Sequence, residues 1–222
     1  MYPDCVLVSS VQGCFLRLPV LSRSLSTRFG GSARALRGPR SVVLDVPYIQ
    51  QKDINGCGAA ALLMVYQYYG KKIFSEANIL NDLKRPAPHN PDEFFIPSAS
   101  LSEHASYRKF KAEMRQLKHA TEQQVAEELD HYVTKAAIPL IACQKYTDAL
   151  PQVGHFRIVL GIENGNVIFH DPSREFGGAA LSWPLARFTE YWQATGEAVQ
   201  GGYAVLVSTL ALPPPLPVFR SS

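Results

Sequence analysis

No run of roughly 18 consecutive apolar residues occurs in the 222-residue chain, so the sequence predicts no membrane-spanning helix. Closely spaced cysteines are also missing. The four present, Cys5, Cys14, Cys57 and Cys143, contain no CxxC pair, which argues against a disulfide scaffold and against a zinc ribbon. Neither a GxxxxGK[ST] loop nor a GxGxxG turn is found, so no nucleotide, cofactor or metal is expected. Acidic residues are absent from residues 5–44, which carry Arg17, Arg23, Arg28, Arg34, Arg37 and Arg40. Residues 1–44 hold six of the 22 basic residues but one of the 19 acids, leaving 16 against 18 in the remainder. A body that is slightly acidic does not suit nucleic acid.

What is present divides into three parts. Residues 1–40, rich in Ser, Arg and Gly, are read as a disordered basic leader. Three meanings are open for it: an organelle transit segment, an export signal with "VQGC" ending at Cys14, or an extension without an address. The extension is the preferred meaning, since the basic start of an export signal is missing; as to location, export, periplasmic or membrane-anchored, is placed ahead of the cytoplasm. Residues 41–210 form the body, and 211–222 a Pro-rich tail. In the body a strand is predicted at residues 42–46, and a helix from Cys57 to about Tyr69 that is apolar on nearly every side, hence central and buried, with Gly70 as its cap. A short helix should follow Ser75. Residues 85–101 read as a Pro-rich surface loop, with a helix near 102–110 and a strand near 112–117. Thr121 and Gln124 form a capping-box pattern for a helix running to about Lys135. Strands follow from Ile138, in a hairpin turned at Asn164-Gly165, and over residues 202–208, with a helix started by Ser182 and Pro184 between them. Helices first and antiparallel strands later give an α+β domain.

The chemistry gathers around Cys57. In "QKDINGCGAAALLMVYQYYG" a turn-prone stretch ends at a cysteine that opens the apolar helix. A thiol reacts as thiolate, and the N–H groups and dipole of a helix start favour negative charge there. A small buried core cysteine would look the same by position alone. A nucleophile needs a base, and the base an orienting group. In "GHFRIVLGIENGNVIFHDP", His155 opens one strand and Asp171 closes the next, sixteen residues on. His170 is the competing base, but it projects from the opposite face to Asp171. A two-residue turn pairs Ile158 with Asp171, which leaves Asp171 three residues short of His155 and on the wrong face. A bulge at Asn166 would restore the face. For the oxyanion, the Cys57 N–H and a side-chain amide from Gln51, or from Gln50 instead, are available.

These two segments together resemble cysteine peptidase family 39, the bacteriocin-processing or double-glycine leader peptidases of the papain-like superfamily, over roughly residues 44–208. The resemblance rests on the Gln–six–Cys-Gly spacing, the apolar helix, the Gly-His-Phe strand and the His-to-Asp-Pro spacing. It implies a papain-like fold with a central N-terminal helix packed against an antiparallel sheet. It further implies Cys57 as nucleophile, His155 as general base and acid, Asp171 as orienting group, Gln51 as oxyanion donor, and a peptide or protein substrate. The best-known members continue into membrane spans and an ATP-driven transporter; this chain is similar to the stand-alone branch. A non-catalytic peptide-binding module and an amidase or transglutaminase-like acyl transferase are the alternatives.

Overall fold

The computed structural model describes residues 4–5, 43–71, 74–87, 90–149, 153–195, 199 and 201–216. The rest of the predicted leader, including Cys14, and the end of the tail lie outside the described residues. The described residues belong to one compact unit.

The centre is a six-stranded sheet, antiparallel throughout, in the order β4-β9-β5-β6-β7-β8. Its strands are β4 (Lys111–Gln116), β5 (Leu140–Lys145), β6 (Gly154–Glu163), β7 (Asn166–Asp171), β8 (Gly178–Pro184) and β9 (Tyr203–Ser208). Two helices cover opposite faces of β6. Phe156 meets α1 (Cys57–Tyr68) at Gly58, where an added Cβ would lie 3.1 Å from the Phe156 ring and from Ile96. Arg157, pointing the other way, lies over Tyr191 of α5 (Leu185–Gln193). Gly58 thus permits a helix-to-sheet approach that a side chain would obstruct.

Residues 57–66 of α1 are all buried, as its unbroken apolar character requires. Each Leu or Val enclosed there contributes about 1.5–3 kcal/mol. Its end is a Schellman motif. Gly70, at φ 75°, donates its N–H to the carbonyl of Gln67, and Lys71 donates to that of Tyr66. The short helix expected after Ser75 is α2 (Glu76–Leu83), capped by Ser75, and the predicted capping box is present at α4 (Glu122–Leu129), but that helix then continues as a π-helical turn, Asp130–Lys135.

Three predictions are corrected. Residues 43–50 are an extended strap rather than a strand, held to β6 by a 2.8 Å bond from the Leu44 N–H to the Leu160 carbonyl. The expected surface loop at 85–101 is a hairpin of β2 (Arg85–Ala87) and β3 (Asn90–Pro97) leading into α3 (Ser98–Tyr107). Phe95, Ile96 and Leu101 are buried, so the apolar residues between the prolines outweigh the turn signal of the prolines. The stretch read as entering a helix at Ser182 is the edge strand β8, whose Gly- and Ala-rich sequence has low strand propensity and is ordered by pairing with β7. The helix starts after Pro184. A further short strand, β1 (Asp4–Cys5), pairs antiparallel with Pro97 and Ile96 of β3. Among the described residues, no helix is long and apolar enough to cross a membrane.

Candidate active site

Cys57 stands at the first position of α1. Its N-cap is Gly56, no side chain caps the helix, and its first turn carries no acid. The leading N–H groups are therefore not committed to a cap, and the positive end of the dipole acts on the thiol. The turn before it is tied by the Gly56 N–H to the Asp53 carbonyl (3.0 Å) and the Asn55 N–H to Asp53 Oδ1 (2.9 Å).

Opposite this thiol lies a buried chain of charge. His155 Nε2 is 2.6 Å from Asp171 Oδ1. The Cys57 thiol is near enough to act on the charge of the ring. The Asp171 Oδ1 further accepts the Ser173 N–H at 2.9 Å, and Oδ2 accepts from Arg157 Nε at 2.7 Å. Cys57 and His155 are each only 2% exposed. Burial, the largest single influence, pulls the imidazole pKa down. The charges of Asp171 and Cys57, with their hydrogen bonds, prevail and push it up to about 8. Burial alone would raise Asp171. His155, Arg157 and the Ser173 N–H instead hold it well below the usual carboxylate range. The arrangement favours an imidazolium between a carboxylate and a thiol.

The His155–Asp171 contact depends on a bulge, though not at Asn166. The Asn164-Gly165 turn, with φ 51° and 77°, sets Glu163 against Asn166, and the pairing continues to Gly161 opposite Ile168. The next pairs are Val159 with Phe169 and Ile158 with His170, so Leu160 is the extra residue and the bulge sits in β6. Arg157 then falls opposite Asp171, and His155, two residues on, shares its face. His170 is occupied elsewhere: Nε2 donates to the Val46 carbonyl at 2.7 Å, and Nδ1 accepts the Ala180 N–H at 2.9 Å. Burial lowers its pKa.

Gln51 is buried while Gln50 is exposed. The Gln51 side chain faces its own loop. Nε2 donates to the carbonyls of Asp53 (2.9 Å) and Ile54 (2.7 Å), and Oε1 is buried without a partner. Both amide hydrogens are thus engaged, and in this arrangement the backbone at Cys57 is the oxyanion donor at hand.

Sequence reasoning passed over Arg157, Tyr146 and Ser173. The ring of Tyr146 lies 4.8 Å from that of His155, and its hydroxyl is 2.8 Å from Ser173 Oγ. For Arg157 a signal was available: it follows His155 by two in the apolar middle of the strand, which puts a charge on the His155 face. A cavity of about 200 Å³ is lined by Gln116, Lys118, His119, Gln193, Thr195 and Gly201 and includes none of these groups. Among the described residues, no cluster of His, Cys, Asp and Glu could hold a metal ion.

A model of the family described as "Peptidase_C39 like family" matches residues 43–200. No curated protein matches the sequence. Three solved structures, each 18% identical, share the fold. A protein from Bacillus anthracis described as a C39-like peptidase gives a TM-score of 0.56, over 78% of this chain and 100% of its own. The peptidase domain of Streptococcus ComA, a bifunctional ABC transporter in quorum sensing, gives 0.52, over 73% and 97%. A double glycine motif protease from an AMS/PCAT transporter, solved in complex with the leader peptide, also gives 0.52, over 76% and 98%.

Proposed function

Because the chain belongs to the Peptidase_C39-like family, we propose that it is a thiol peptidase that works through Cys57, His155 and Asp171. One observation carries the reading: a buried histidine links a carboxylate to a thiol at an uncapped helix start. The thiolate of Cys57 attacks a peptide carbonyl, a C–S bond forms, and the carbonyl oxygen takes the electron pair under the Cys57 N–H. His155 protonates the amine as the C–N bond breaks. It then takes a proton from water, whose oxygen attacks the thioester and releases the thiolate. Asp171 holds the Nε2 proton in place throughout. Gln51 joins as a donor once its amide turns away from Asp53 and Ile54. The relative solved with a leader peptide supports a peptide as the substrate class.

The test is mass spectrometry of a peptide-library digest with the unmodified chain and Cys57→Ala. New termini are expected with the former alone; cleavage by both, or by neither, defeats the proposal. A comparison of Gln51→Ala with Gln50→Ala tests the donor. The expected loss is about 10²–10³-fold in turnover for Gln51→Ala only.

A further inference from the structure

Arg157 is a basic side chain in the apolar middle of β6, between Phe156 and Ile158, and it is 2% exposed. Four of its five N–H groups are paired. Nε donates to Asp171 Oδ2. Nη1 donates to Gln144 Oε1 and the Lys145 carbonyl, both at 3.1 Å, and Nη2 to the Tyr146 carbonyl at 2.9 Å. Its guanidinium lies over the rings of Trp183 at 5.0 Å and Tyr191 at 5.8 Å. Such a group cannot move without breaking bonds to the end of β5.

We infer that Arg157 is a positioning residue of the reactive centre, which clamps one oxygen of Asp171 so that the other stays aimed at His155 and balances the buried charge of the site. The inference rests on the reading of Cys57 and His155 as the reactive pair. A carboxylate bonded through one oxygen only can swing about its Cβ–Cγ bond; Arg157 on Oδ2 and the Ser173 N–H on Oδ1 remove that freedom. The charge argument is independent of the geometry. Thiolate, imidazolium and carboxylate sum to one negative charge in a dry site, where uncompensated charge is costly. Arg157 brings the sum of these four groups to zero; the buried Glu76, whose Oε1 accepts the Lys52 N–H at 2.7 Å beside Gly56, is a further acid at the helix start that they do not include. Other charged and titratable groups nearby do not take its place. Lys145 directs its ammonium to Asp148 and Glu190, at 2.9 and 2.7 Å, and passes over Tyr191. Arg187 lies over Trp183 and Tyr191. Tyr146, near Glu175, bonds Ser173; Tyr48 offers its hydroxyl to the Asp171 carbonyl; His170 is turned to the other face.

Removing the guanidinium withdraws a positive charge from both Asp171 and the thiolate, so the reactive form should need a higher pH. The rate of Cys57 alkylation by iodoacetamide is to be followed by mass spectrometry from pH 4 to 9, on the full chain and on Asp171→Asn, Arg157→Lys and Arg157→Met. Arg157→Met should slow labelling about tenfold on the acid side of the profile. Arg157→Lys, which keeps the charge and loses the fork, should slow it by less. If Asp171→Asn alters the profile and Arg157→Met does not, Arg157 is only a core staple and the inference falls. If Asp171→Asn alters nothing, the triad itself is wrong. Should the Arg157 variants not fold, the unmodified chain decides by NMR. The Arg157 Nε–H resonance should shift with the same midpoint as the His155 ring, and a flat Arg157 signal overturns the inference.

Discussion

Two networks in this molecule use the same three residue types and end in opposite protonation states. At the candidate site, His155 bonds Asp171 and Asp171 bonds Arg157. On the far side of α1, His104 lies 3.2 Å from Asp82, and Arg108 bonds the same oxygen of Asp82 at 3.1 Å. The second network differs in its carboxylate. The Asp82 side chain is 49% exposed against 2% for Asp171. Water screens Asp82, so its pull on His104 is weak. Burial first, and then the charge of Arg108, lower the His104 pKa. At the site the carboxylate is as dry as the imidazole, and its charge overrides the cost of burying the cation. The partner of the second ring nitrogen differs too. His104 Nδ1 meets the hydroxyl of Tyr66 at 2.7 Å, inside the core, where burial pushes the phenol far above its ordinary range. His155 faces a thiol at a helix start. The pKa of the histidine in such a histidine–carboxylate–arginine chain is therefore raised or lowered according to the solvation of the acid.

The largest expected contrast is in turnover. Asp171→Asn should lower it by about 10³–10⁴-fold, because an amide cannot hold the required tautomer. Asp82→Asn should leave it within about threefold. Steady-state rates on a peptide from the library digest measure both, and equal losses would erase the distinction.

Tyr66→Phe strands the His104 Nδ1 in the core. It should cost about 1–3 kcal/mol in thermal or urea unfolding, with Cys57 alkylation unchanged. A loss of alkylation would mean that the two networks communicate through α1.

Histidine titrations by NMR should separate in sign. His155, raised to about 8, contributes stability that is complete below its unfolded value near 6.5 and is lost as the pH rises through about 8. His104, lowered, contributes stability that is present above about 6.5 and is lost as the pH falls through its folded value. Two midpoints on the same side of 6.5 would contradict the account of their carboxylates.

Cys57 and Cys143 are 2% and 4% exposed, so access does not distinguish them. Iodoacetamide near pH 6 should nevertheless label Cys57 first, and equal labelling would remove the case for an activated thiol. The smallest effect is expected at Arg108. Its pair with Asp82 is partly solvated, and its buried Nε has no hydrogen-bond partner. Arg108→Met should change stability by about 1 kcal/mol or less.

Local chemistry made part of this protein legible from residues alone. The apolar run after Cys57 can only be a buried helix, Gly70 and Lys71 can end it with a Schellman motif, Thr121 and Gln124 cap the next, and Asn164-Gly165 turns the hairpin that carries His155 and Asp171. Each depends on residues within one turn or one hairpin. Long-range partners decided the rest. The Leu160 bulge, which puts Asp171 and His155 on one face, leaves a carbonyl that the N–H of Leu44 takes from over a hundred residues away. The Gly- and Ala-rich β8 is a strand because β7 offers it an edge, and β3 and α3 are drawn in because Phe95, Ile96 and Leu101 find the core. The direction of the Gln51 amide was set by two carbonyls of its own loop, whose path depends on the bond from the Gln51 N–H to the Pro172 carbonyl. Spacing along a chain encodes which groups can meet across a turn. The register, the burial of a carboxylate and the partner of an amide are properties of neighbours distant in sequence, and they appear only when the sheet has closed.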